Sequence, residues 1–375
     1  MKRKVLMTAS VWRHIRSFHL PYLARFRQLG WETHVGCAGI PADAPHVDAP
    51  IELPFEKRMT SPANLRAMGL MKRRIRAERY DLIITHTTLA AFFTRMALAG
   101  AFSRTADCPT RLVNVMHGYL FDDDTPALKR RVLLEAERLT APRTDLLLVM
   151  NRWDEGAARR YRLGARIESI PGMGVDFSAL DAAGDADGSR LRQALGIGKD
   201  AFVLIYAAEF SNRKCQPVLI RAMTALPENA VLALCGSGAT LQACRALAEE
   251  LGVANRVLFP GQVEDMPAWY RMADACVASS RSEGLPFNLM EALRAGLPVV
   301  ASATKGHTDL IEDGVNGFLV PWGDDAALAE RVRRLMDDGA LTARLGARAA
   351  RGMDRYALKS VLPAVMDLYL SALEG

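Results

Sequence analysis

Only six cysteines stand in 375 residues, and no two of them form a C-x-x-C pair. Cys37, Cys108, Cys215, Cys235, Cys244 and Cys276 have no histidine nearby at zinc-finger spacing, so neither a finger-type zinc module nor a disulfide framework is encoded locally. They read as reduced core thiols of a cytoplasmic protein. No repeat or low-complexity tract is present, which excludes solenoids and propellers. Long apolar runs are missing too. The most apolar segment, Thr87 to Ser103, carries Arg95 at its middle and falls short of the roughly 18 residues that a spanning helix needs. The opening Met1-Lys2-Arg3-Lys4 leads into eight apolar or small residues and then Arg13-His14, with no small-residue cleavage site, so it reads as a first strand and not as a signal peptide. Basic residues are not interleaved with aromatics, which argues against nucleic acid as a partner.

What is present is a soluble-protein composition, 50% hydrophobic and 24% charged, in a chain long enough for two or three domains that bury their own cores. Charge is unevenly spread. Residues 1 to 170 hold 28 Lys and Arg against 17 Asp and Glu, and the remainder hold 20 against 25, giving +11 and −5. A basic half of this kind faces something anionic. Short apolar runs alternate with amphipathic stretches. Strands are expected at Val5 to Ala9, Thr33 to Cys37, Asp81 to Thr85, Leu112 to Met116, Leu146 to Met150 and Ile167 to Ile170. A second series follows at Phe202 to Tyr206, Val231 to Cys235, Val257 to Pro260, Ala275 to Ser279, Pro298 to Ala301 and Phe318 to Val320. This rhythm predicts an α/β protein with two doubly wound, Rossmann-like domains joined near residues 171 to 190. Residues 358 to 373 place apolar side chains at the spacing of one helix face.

In doubly wound sheets, ligands bind just beyond the carboxyl ends of the strands. Three turns in the second series stand out. Ala208 to Lys214 puts the adjacent cations Arg213 and Lys214 before a helix start, where a bound anion explains them better than the helix dipole does, although a solvated turn would also accept them. Gly236 and Gly238 follow the next strand and would let the backbone approach a phosphate. The dinucleotide fingerprint is spoiled by Leu241 and by Pro260-Gly261, where an acidic residue is required, which argues against NAD. The third turn, Ser279 to Pro286, holds Glu283 in a loop and leads into a helix carrying Glu291, with Pro286 expected at the first helical position. Carboxylates so placed can accept hydrogen bonds from the vicinal hydroxyls of a sugar.

The run Ser280-Arg281-Ser282-Glu283-Gly284-Leu285-Pro286-Phe287-Asn288-Leu289-Met290-Glu291, followed by Ala295 to Ser302 and Gly314 to Val320, resembles the nucleotide-sugar half of the glycosyltransferase family 4 enzymes. Ile170 to Asp176 is similar to that family's linker motif, and Arg16 to Tyr22 with Met116 to Tyr119 resembles its bacterial exopolysaccharide and capsule branch. The resemblance implies the GT-B architecture of two Rossmann-like domains facing a central cleft. The first would span residues 1–172 with a terminal helix over 356–375 and bind the acceptor, and the second would span 173–355 and bind the donor. It also implies retention of anomeric configuration and transfer of a hexose or N-acetylhexosamine from a UDP-sugar. The acceptor would be a glycan or a polyprenyl-diphosphate-linked sugar. The donor is a substrate, and no cofactor or metal is expected. By the same resemblance Glu283 would meet donor-sugar hydroxyls, Glu291 the ribose and Lys214 the diphosphate. Gly284 and Leu285 would supply backbone amides, the loop with Val263 would hold the base, and His117 would approach the transferred sugar. Two positions depart from the family pattern. Glu209 stands where many members have Arg, leaving Arg213 as the substitute cation, and Ser10 to His14 stands where a glycine-rich loop is usual, making Ser10 and His14 the acceptor-side candidates.

Asp122-Asp123-Asp124 before Thr125-Pro126 reads as a solvated turn, not as a metal-binding Asp-x-Asp. His14, His19 and His117 belong to residue types more often structural than catalytic, and only His117 matches a family position. Lys72-Arg73-Arg74-Ile75-Arg76 reads as an exposed helix face that also fits an anionic membrane, which would put the protein on the inner face of the cell membrane. A nucleotide-sugar epimerase or hydrolase of similar architecture and a non-catalytic sugar-nucleotide-binding partner are the competing readings.

Overall fold

A computed structural model describes residues 2–101 and 110–374. Cys108 and Ser103 lie outside the described residues. The chain divides into two compact units, Met1–Gly174 with Lys359–Gly375, and Val175–Leu358.

The first unit is built on seven strands: β1 Lys4–Val11, β2 Glu32–Ala38, β3 Ala49–Glu52, β4 Leu82–His86, β5 Arg111–Val115, β6 Leu146–Val149 and β7 Arg166–Ser169. All pair in parallel, in the order β3-β2-β1-β4-β5-β6-β7. Central strands such as β4 and β6 are buried along their whole length, because helices cover both faces of a parallel sheet. The short edge strand β3 was not expected from the sequence. It holds only four residues, one of them Pro50, which an edge tolerates.

Helix Pro62–Glu78 starts where its signals stand: Ser61 accepts a hydrogen bond from the Ala63 amide at 3.2 Å, and Pro62 occupies the first turn. The basic run on this helix is partly spent on neighbours. Arg76 donates to the carbonyls of Gly100 and Ala101, and Arg74 pairs with Glu78. Helix Thr88–Ala101 buries Arg95 completely, and its guanidinium meets Glu137 at 2.7 Å.

The second unit carries β8 Phe202–Ala207, β9 Ala230–Cys235, β10 Val257–Gly261, β11 Ala275–Ala278, β12 Val299–Ser302 and β13 Gly317–Val320, all parallel, in the order β10-β9-β8-β11-β12-β13. Asp181 to Ser189, expected near the joint, lies in helices Ser178–Ala182 and Asp185–Ala194 of this unit, and the joint itself falls between Gly174 and Val175. Helix Leu358–Ser371 returns the chain to the first unit, where Tyr369 stacks on Phe26 and meets Tyr22 edge-on. Among the described cysteines all are free thiols, buried except for half-buried Cys215. No helix of the described residues is long and apolar enough to cross a membrane.

Candidate active site

Strand order reverses between β8 and β11, so the crevice beyond their carboxyl ends is the place where a doubly wound sheet receives a ligand. The loop after β8 holds Arg213 and Lys214, and the loop after β11 holds Glu283. Glu283 is 7% exposed and takes both cations, Lys214 Nζ on one oxygen at 2.7 Å and Arg213 on the other at 2.6 Å. Burial opposes its ionisation, but Lys214 and Arg213 outweigh burial and bring its pKa down to about 2. Arg213 also donates to the Ser282 carbonyl at 3.0 Å.

The two loops are riveted by buried hydroxyls. Ser279 donates to the Lys214 and Cys215 carbonyls, both at 2.9 Å, Tyr206 and Ser280 hydroxyls meet at 2.7 Å, and Ser302 donates to the Ser280 carbonyl at 2.6 Å. His307 lies behind Glu283, with its Nδ1 2.8 Å from the Ser302 carbonyl, and burial lowers its pKa. A side chain at Gly306 would bring a Cβ within 2.9 Å of the Glu283 Cβ, so a glycine lets that segment close on the carboxylate.

Gly236 and Gly238 occupy positive φ, 143° and 155°. A Cβ at either would stand 2.1 Å from the Ala208 carbonyl oxygen or 2.3 Å from that of Phe210. Their immediate task is thus to let this loop approach the loop after β8. Glu291 accepts a hydrogen bond from the Tyr270 hydroxyl at 2.8 Å, and burial pushes its pKa up against that bond. Pro286 sits one position before the helix, at the cap of Phe287–Arg294, and not at its first residue: its ψ of 119° is extended. Val263 packs partly buried against the unit's core, Gly284 and Leu285 are half-buried beside Glu283, and Glu209 is exposed.

In the first unit the order reverses between β1 and β4. Ser10, at the end of β1, is held to Thr87 by a hydroxyl pair at 2.7 Å and by its own amide at 3.0 Å. His14, His19, His86 and His117 converge there, each offering a ring nitrogen within 4.8 Å of the others. His86 Nδ1 and His117 Nε2 are 3.2 Å apart, and the His19 and His86 rings stack at 3.6 Å. Burial depresses all four pKa values, that of His14 to about 4.

Residues 187–352 match the family "Glycosyl transferases group 1", and residues 20–172 match "Glycosyl transferase 4-like domain". EpsD of Bacillus subtilis (strain 168), assigned by name to the glycosyltransferases, is 32% identical over 373 residues, covering 98% of this chain and 97% of EpsD. The chain belongs to the GT-B glycosyltransferases of family 4. A D-inositol 3-phosphate glycosyltransferase of Streptomyces avermitilis is 31% identical over 311 residues, 79% of this glycosyltransferase and 66% of that one. Among solved structures, Anabaena Alr3699/HepE in complex with UDP and glucose superposes with a TM-score of 0.80 at 22% identity, over 98% of this chain and 100% of that one. WaaG, a glycosyltransferase involved in lipopolysaccharide biosynthesis, does so at 0.78 and 18% identity, over 97% and 99%. These structures share the fold of this glycosyltransferase.

Sequence reasoning singled out Arg213, Lys214, Glu283, Gly236, Gly238, Ser10, His14 and His117. It gave no role to Ser279 and Ser280 and passed over Tyr206 and His307, whose hydroxyls and ring support the cluster around Glu283 from within the core, and Tyr270, which orients Glu291. It also missed His86. That residue ends an unremarkable buried strand, and only the parallel pairing of β4 with β5 carries it to His117.

Proposed function

We propose that this glycosyltransferase transfers a hexose or N-acetylhexosamine from a UDP-sugar, with retention, to a glycan or polyprenyl-diphosphate-linked sugar during surface polysaccharide synthesis. The carrying observation is the convergence of Lys214 and Arg213 on Glu283 at the switch point of the donor-type unit. Departure of a nucleoside diphosphate leaves charge on its phosphate oxygens as an oxocarbenium-like sugar forms. Two fixed cations stabilise that charge without needing a metal at the phosphates. A diphosphate brought to them shares the cations with Glu283, whose oxygens then accept sugar hydroxyls. The carboxylate is ionised for that role at neutral pH. Glu291 is placed to accept from ribose hydroxyls, Gly284 and Leu285 to offer amides, Val263 to line the base, and Gly236 and Gly238 to let the donor loops close. His117 would meet the transferred sugar, with Ser10 and His14 toward the acceptor. HepE, solved with UDP and glucose, supports the choice of nucleotide.

Lys214→Ala should lower transfer by on the order of a hundred- to a thousandfold while the protein stays folded, with some loss of melting temperature because Glu283 keeps only Arg213. The assay is nucleotide release from UDP-, GDP- and ADP-sugars with and without acceptor, alongside thermal shift, because the correct donor raises the melting point by linkage. An unchanged rate sinks the assignment. Release of free sugar without acceptor favours a hydrolase, and donor binding with no turnover on any acceptor favours a non-catalytic partner. NMR of the product's anomeric proton tests retention.

The membrane reading rests on helix Ala127–Thr140. Leu128, Val132 and Leu139 are 76%, 62% and 63% exposed along one face, with Lys129 and Arg131 close by. An apolar stripe flanked by cations suits an anionic lipid surface. Vesicles containing phosphatidylglycerol should sediment the protein and Leu128→Glu with Val132→Glu should abolish this; equal sedimentation with phosphatidylcholine alone counts against it.

A further inference from the structure

His14, His19, His86 and His117 come from four separate places in the first unit: helix Trp12–Phe18, its C-terminal cap, the end of β4 and the loop after β5. His19 and His86 are fully buried, and His14 and His117 are partly exposed. Burying four imidazoles together is costly unless their nitrogens find partners. Here they do not. His19 Nδ1 and Nε2, His86 Nε2 and His14 Nε2 are all buried without a hydrogen-bond partner, and the contact between His86 Nδ1 and His117 Nε2 is the one polar contact within the group.

A second group of comparable ligating power behaves differently. Glu32, His34 and Glu78 also cluster, yet both ring nitrogens of His34 are engaged, by Tyr80 and Glu32 at 2.8 Å each, and Glu78 holds Lys4 at 2.6 Å. That group is satisfied by the protein itself. In the four-histidine group, four ring nitrogens meet no hydrogen-bond partner among the described residues.

We propose that His14, His19, His86 and His117 form a binding site for a divalent late first-row transition ion, with Zn2+ as its occupant. An all-imidazole set suits Zn2+ and its neighbours and not Mg2+ or Ca2+, which take oxygen ligands. Tetrahedral Zn–N bonds of about 2.0–2.1 Å put ligand nitrogens about 3.4 Å apart, so the group, now within 4.8 Å, must contract and one of the stacked His19 and His86 rings must turn to aim its nitrogen at the ion. Neutral imidazole is the ligating form, and no proton need leave. The ion's charge would face the partly exposed side formed by His14 and His117. The site belongs to the first unit and uses neither Lys214 nor Arg213 of the second, so it goes beyond the transfer reading, with His14 and His117 common to both.

The test uses the full chain without a histidine tag, stripped of metal, with Co2+ alone as the spectroscopic probe and Zn2+ alone as the competitor. One Co2+ per chain should bind, with the visible absorption of a four-coordinate ion, and one equivalent of Zn2+ should displace it. His19→Gln and His14→Gln should each weaken Zn2+ binding by roughly a hundredfold or more, beyond the about 10–100-fold typical of an outer partner. Replacing partly exposed His14 spares the core should the His19 variant fail to fold, which circular dichroism reports. His34→Gln should leave metal binding unchanged. Absence of Co2+ and Zn2+ binding by the folded parent overturns the proposal, as does binding that survives in the folded variants or disappears with His34→Gln. UDP binding measured on the same samples separates the two readings: intact UDP binding without metal binding removes only the metal site, and the converse removes only the donor assignment.

Discussion

Glu283 concentrates the electrostatics of the second unit in one carboxylate. It remains charged although nearly buried because two cations contact its two oxygens, and such charge-assisted contacts are stronger than neutral ones. The depressed pKa has a direct stability consequence. The folded group, near 2, releases its proton more readily than the unfolded one, near 4.5, so its contribution is complete above about pH 4.5 and is lost as pH falls toward 2. Glu283→Gln should flatten the acid limb of a plot of melting temperature against pH over that window; an identical slope in parent and variant would refute the linkage. Gly238 carries a different kind of constraint. With a Cβ it would stand 2.3 Å from the Phe210 carbonyl oxygen, and the neighbour is backbone that cannot swing away. Gly238→Ala should therefore lower the melting temperature and weaken UDP binding together, whereas Gly198→Ala, where the added Cβ meets nothing within 4 Å, should leave UDP binding alone.

At the scale of elements, Arg95 explains why the most apolar stretch of the chain is a globular helix. Its guanidinium joins helix Thr88–Ala101 to helix Ala127–Thr140 through Glu137, both groups being out of water. Removing one partner strands a buried charge. Glu137→Ala should cost about 3–5 kcal/mol, read from denaturant unfolding of the first unit, while Arg95→Met combined with Glu137→Leu should cost far less. Equal losses in the single and double replacements would contradict that account. The basic run 72–76 shows the limit of reading charge from composition. Arg74 and Arg76 are already engaged by Glu78 and by two carbonyls, and the stripe of exposed apolar side chains lies on a different helix, Ala127–Thr140.

For the whole molecule, the return of the chain matters most. The terminal helix Leu358–Ser371 buries Val361, Val365, Met366 and Tyr369, and Tyr369 packs on Phe26 and Tyr22 of the first unit. Tyr22 is tied further by its hydroxyl to the Met173 carbonyl at 2.9 Å, close to the point where the chain leaves that unit. Ending the chain at Leu358 should strip this cover and lower the stability of the first unit, measured by its hydrogen-exchange protection, and leave UDP-dependent stabilisation of the second in place. Protection unchanged in Phe26 and its neighbours would show that the helix is dispensable.

The sequence by itself determined the two α/β halves, their strand order in time along the chain, and the placement of Arg213, Lys214 and Glu283 in loops beyond strand ends with Glu291 on the helix that follows. Those features are local: a parallel strand is a continuous apolar run, and a switch-point loop follows it directly, so both are visible within a few residues. Even there, the edge strand Ala49–Glu52 escaped notice because four residues with a proline carry no strand pattern. Tertiary structure alone decided which side chains meet. Glu283 finds its cations some seventy residues away, and His86 reaches His117 only because β4 and β5 pair in register. Hydrogen-bond partners, burial and the pKa shifts that follow depend on distances between segments remote in sequence, and no periodicity along the chain encodes those distances.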